Sequence, residues 1–74
     1  MEKNGKHYYK IDIMGKNGYS FMVVCNEELD ELDVLHRAFL CDLFSDDNDV
    51  HYAVVDDLVS EYDIENFKNC TYDI

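Results

Sequence analysis

Proline is absent from this 74-residue chain, and glycine is limited to Gly5, Gly15 and Gly18. No Pro/Gly-rich linker can divide it, and the length fits a single domain spanning residues 1–74. Bases are scarce: six Lys and Arg stand against 17 Asp and Glu, a formal charge of −11. That scarcity excludes a basic face for direct binding to nucleic acid, and it argues equally against an anionic membrane surface. No apolar run approaches the ~18 residues of a spanning helix. The polar start MEKNGKHYYK has no leader pattern. Cys25, Cys41 and Cys70 are odd in number and form no CxxC pair, which predicts buried free thiols in a reducing cytoplasm rather than a disulfide framework.

Signatures of chemistry are missing too. There is no Gly-rich phosphate cradle, no nucleophile elbow and no HExxH. Asp46-Asp47-Asn48-Asp49 followed by His51 offers metal-ligand types, but a Ca²⁺ loop needs Gly at its sixth position and Glu at its twelfth. Counted from Asp47, those positions are Tyr52 and Leu58. Zinc would need four convergent Cys or His ligands, and no two lie at ligand spacing. The expectation is a non-enzymatic protein with no cofactor and no metal.

What the chain does have is apolar content, 47% with six Tyr and four Phe, too much for a disordered acidic tail. Residues 1–6 lack periodicity and are expected to fray. His7 to Met14 alternates, with Tyr9, Ile11 and Ile13 facing one way, and Tyr19 to Cys25 repeats the pattern. Gly15-Lys16-Asn17-Gly18 reads as a hairpin. A three-residue loop, Lys16 to Gly18 with Gly18 left-handed, pairs Ile13 with Phe21 and puts the stronger apolar sets on one face. The other set, Tyr8, Met14, Met22 and Val24, would then point outward.

Asn26 to Phe44 carries the one long helical period. Leu29, Leu32, Leu35, Phe39, Leu40 and Leu43 form a stripe, with Asn26 as N-cap. His36 lies in that stripe and is expected to be a neutral imidazole hydrogen-bonded beneath the sheet. Residues 45–49 read as a polar loop and Val50 to Val55 as a third strand. Ser60 with Asp63 resembles a capping arrangement for a short helix, and the alternation of Cys70, Tyr72 and Ile74 suits a last edge strand. The fold class is α+β: a small antiparallel sheet, hairpin plus third strand, packed on one main α-helix, ββαβ with a short C-terminal helix or edge strand.

The charge is unevenly spread. Four of the six bases, Lys3, Lys6, Lys10 and Lys16, precede Asn17; after it, fifteen acids face only Arg37 and Lys68. Glu27, Glu28, Asp30, Glu31 and Asp33 crowd the start of the helix, where one or two carboxylates would suffice to oppose its dipole. Asp46, Asp47 and Asp49 form a second cluster. In size and acidity the chain resembles phage-encoded nucleic-acid mimics, the class that includes anti-CRISPR and anti-restriction proteins, and the resemblance lies in charge balance alone. It implies an inhibitor in the host bacterial cytoplasm that occupies the basic nucleic-acid-binding surface of a defence protein or ribonucleoprotein complex through these eight acids. The competing expectation is an acidic interaction subunit or antitoxin-like partner of a basic protein, or a homodimer through an exposed strand edge.

Overall fold

Alternating side chains make the first long segment a two-faced ribbon, and the chain covers both faces. The computed structural model describes residues 1–74. Strand β1 is Glu2–Lys3, β2 Lys6–Ile13 and β3 Tyr19–Cys25; helix α1 is Glu31–Leu40; β4 is Ala53–Asp56, α2 Glu61–Asn66 and β5 Thr71–Asp73. Short 3-10 turns cover Asp47–Tyr52 and Lys68–Cys70. The α+β class is as expected, but the sheet has five strands and is mixed, because β5 runs parallel to β3.

The N-terminal residues, expected to fray, form a tight hairpin. Asn4 and Gly5 take the positive φ values, 56° and 78°, of a two-residue turn, and Glu2 pairs with His7. β1 and β4 share one edge of β2, with β4 against Lys10–Ile13. The chain therefore crosses the sheet twice. From β3 it passes through α1 over the face carrying Tyr9, Ile11, Ile13, Phe21 and Val23 to reach β4; from β4 it returns through α2 to β5 on the opposite edge.

The β2–β3 register differs from the expected one by two residues. Ile13 lies opposite Tyr19 and Ile11 opposite Phe21, closing a five-residue loop, Met14 to Gly18. A shift of two preserves which face each side chain meets, so the apolar pattern could not detect it. The left-handed position is Gly15, φ 135°, rather than Gly18. Gly18 is needed for space: a Cβ there would sit 2.6 Å from the Ile13 carbonyl oxygen. Gly18→Ala should lower the unfolding free energy by about 1–3 kcal/mol, read from urea denaturation.

The return crossing buries the face expected to be outward. Met22 and Val24 are buried, as is Val59, and the Lys10 ammonium lies 5.6 Å from the centre of the Phe67 ring. Of the expected outward set only Met14 is exposed. Helix α2 starts where expected: the Ser60 hydroxyl accepts from Asp63 N–H at 3.2 Å and Ser60 N–H donates to the Asp63 carboxylate at 3.1 Å. That backbone bond, aided by the Ser60 hydroxyl and Lys10, holds the Asp63 carboxyl below its ordinary 3.8 against the opposing effect of desolvation. The sign follows: Asp63 supports α2 above pH 3.8, and the support is lost as pH falls through the lower folded value. A carbonyl-detected NMR titration should show Asp63 ionising below an unfolded-peptide reference.

Candidate interaction surface

Helix α1 begins four residues later than the sequence suggests. The N-cap is Asp30, whose carboxylate accepts from Asp33 N–H at 2.8 Å. Asn26 to Leu29 instead lead across from β3, held by two bonds to the sheet. The Cys25 thiol donates to the Glu27 carbonyl at 3.0 Å, and Leu29 N–H donates to the Tyr9 hydroxyl at 2.8 Å. At the far end the helix stops in a Schellman arrangement, Leu43 N–H to the Ala38 carbonyl and Asp42 N–H to the Phe39 carbonyl. Asp42 takes the left-handed position, φ 58°, usually filled by glycine. Asp42→Gly should raise stability by about 0.5–1 kcal/mol, seen as a higher thermal midpoint.

Tyr19 does for the second loop what Tyr9 does for the first. Its hydroxyl donates to Asp49 at 2.8 Å and accepts from Ser45 N–H at 2.9 Å. Two tyrosines on one sheet face thus anchor both ends of the α1 crossover. Tyr9→Phe and Tyr19→Phe should each cost about 1 kcal/mol, with faster amide hydrogen exchange at Leu29 and Ser45 respectively.

The eight acids named from sequence divide by task. Asp30 caps α1; Asp46 caps the 3-10 turn by accepting from Asn48 N–H at 2.8 Å; Glu27 is paired with Arg37; half-buried Asp49 holds Tyr19. Glu28, Glu31, Asp33 and Asp47 are exposed and make no side-chain hydrogen bond or ion pair. The sequence order hid one neighbour of the first cluster. Asp57, just after β4, lies with Glu28 in one depression over Tyr9 and Leu29, and with Asp30 and Glu31 in a second that shares those two residues. The Met1 α-ammonium, donating to the Asp57 backbone carbonyl at 2.8 Å, ties the first strand to it. Only the pairing of β4 with β2 brings Asp57 there.

Among the fifteen acids after Asn17, only Glu27, Glu61 and Glu65 lie within 4.0 Å of a lysine or arginine. The two bases of that region, Arg37 and Lys68, are both held in such pairs. Neither base of that region is left uncommitted.

Only half of the leucine stripe meets the core: Leu29, Leu35 and Leu43 are half-buried against it. Val34 and Ala38 face the sheet, while Leu32 is 76% and Leu40 70% exposed. His36, expected beneath the sheet, is exposed on the outer face. Small residues at positions 34 and 38 let the helix approach the strands closely, and the rotation this requires turns Leu32, His36 and Leu40 outward. Cys41 and Cys70 are likewise exposed, and only Cys25 is a buried thiol.

No group of three or more His, Cys, Asp or Glu side chains converges to hold a metal, and no helix is long and apolar enough to cross a membrane. Compared with protein-family models, curated proteins and solved structures, the chain shows no significant match.

Proposed function

We propose that this protein is a small acidic inhibitor that binds the nucleic-acid-binding surface of a basic protein or ribonucleoprotein in a bacterial cytoplasm, in the manner of anti-CRISPR and anti-restriction mimics. The observation that carries the reading is the excess of carboxylates after Asn17, fifteen against two bases that are both committed to ion pairs. Glu28 and Asp57 border one depression, and Glu31 and Asp57 a second, both over Tyr9 and Leu29. A groove built for duplex DNA meets one phosphate charge per ~1.7 Å of axis, and fixed carboxylates can satisfy the same Lys and Arg side chains. The long dimension of the molecule, 33 Å, is close to the ~34 Å of one DNA turn. Such a protein acts by occupancy, needs no cofactor, and associates at rates that fall with salt.

The test is capture from bacterial lysate treated with nuclease, elution by a salt gradient, and displacement of labelled duplex DNA or guide RNA from each recovered protein. Basic nucleic-acid-binding proteins that elute with salt and release their nucleic acid are the expected result. Recovery of only neutral or acidic proteins, or of complexes that withstand high salt, would defeat the reading.

A further inference from the structure

Helix α1 turns an apolar crest toward solvent in the middle of the acidic surface. Leu32, Leu35, His36 and Phe39 on the helix, with Val50 and His51 on the 3-10 turn, line an open groove of about 470 Å³. None of the six lining residues is a carboxylate, although the chain has 17. Leu40 continues the crest. Exposed apolar patches with a polar rim are typical of sites that close against a partner, and here the rim is acidic at both ends. Glu31 and Asp33 stand in the first turn of α1; exposed Asp47 belongs to the same turn as Val50 and His51.

Charge decides what can lie there. A second copy packed with α1 antiparallel would set Glu28, Glu31 and Asp33 beside Asp42, Asp46 and Asp47 of the other chain. Packed parallel, each cluster would meet itself. Arg37 could relieve little of this, being engaged by Glu27. A basic occupant reverses the sign at both ends. We infer that the groove seats an amphipathic basic segment of a partner protein, with large apolar side chains between α1 and the 3-10 turn and Lys or Arg reaching the acids on either side. The inference rests on the reading of the chain as a binder of basic partners and gives that partner a second property. Phosphate mimicry alone has no use for an apolar groove, so the groove supplies selectivity among basic surfaces.

Two synthetic peptides of equal length and charge separate the contributions. One is a Lys–Leu peptide with leucines at helical i, i+3, i+4 spacing, the other its Lys–Ser counterpart. By titration calorimetry the Lys–Leu peptide should bind tighter by about tenfold or more, and it should shift the methyl resonances of Leu32 and Leu40. Leu32→Ser with Leu40→Ser should remove that advantage, leave Lys–Ser binding unchanged and preserve the thermal midpoint, because both side chains are already in solvent. Equal affinity of the two peptides for the native chain, or an advantage that survives the double substitution, overturns the groove while the acidic reading stands on Lys–Ser binding. Failure of both peptides to bind overturns both. Sedimentation of the chain as a dimer protected at Leu32 and Leu40 also overturns the inference, naming a second copy as occupant.

Discussion

Met22→Ala should lower the unfolding free energy by about 2–5 kcal/mol, whereas Leu32→Ala should change it by no more than about 0.5 kcal/mol. The pair inverts what the sequence pattern suggests. Met22 belongs to the set expected to face outward, yet it is fully buried, one of only four such large side chains. It lies opposite Lys10 on the face crossed by the returning chain, so truncating it leaves a cavity between the sheet and the 59–67 segment. Leu32 belongs to the most regular apolar stripe in the sequence, yet three-quarters of its surface is in water. Its removal deletes little buried area. A domain of this size holds roughly 4–11 kcal/mol in all, so the methionine change should unfold a measurable fraction of molecules without denaturant. Urea midpoints with an unchanged slope provide the measurement. A costly Leu32→Ala beside a silent Met22→Ala would mean that the leucine crest faces the sheet and the second face is open.

How far the fold can be read from sequence depends on which physical signal each element carries. The strand pattern of β2 and β3 is a period of two, robust to everything except a shift of two, and that shift is the error that occurs. Helix α2 is legible because Ser60 and Asp63 form a local capping box that needs no tertiary partner. Helix α1 misleads at both ends. Asn26 reads locally as a start, but the Tyr9 bond to Leu29 N–H, a contact across twenty residues, helps assign that segment to the connection. Its end is hidden because Asp42, not glycine, fills the left-handed position. Its orientation is hidden because Val34 and Ala38, the least conspicuous apolar residues, are the ones fully buried against the sheet. Acidity is plain from composition, but the division of the carboxylates is not. Capping, ion pairing and the Tyr19 bond absorb half of those named, and Asp57 joins the free ones only through strand pairing.

Reversing Glu28, Glu31 and Asp57 to Lys should weaken binding to a basic nucleic-acid-binding partner by about 100-fold at low salt. Each lost contact at ~4 Å is worth about 1 kcal/mol even at the dielectric of water, and three of them reach that ratio. The three reversals, each worth two charges, take the formal net charge from −11 to −5. A control must therefore carry the same change elsewhere. Glu61, Glu65 and Asp73 suit it, since α2 packs on the opposite face of the sheet from α1 and β5 lies at its far edge. Glu61 and Glu65 are moreover already paired with Lys3 and Lys68. If the two depressions over Tyr9 are the contact, the first triple should lose far more than the second. The gap between them should close as salt shortens the Debye length from ~10 Å at 0.1 M toward ~3 Å at 1 M. Asp30 is left untouched so that the cap of α1, and with it the fold, is the same in both variants. Equal losses from the two triples would show that net charge alone drives association, and the claim of a specific acidic site would then fail even if the protein does bind basic partners.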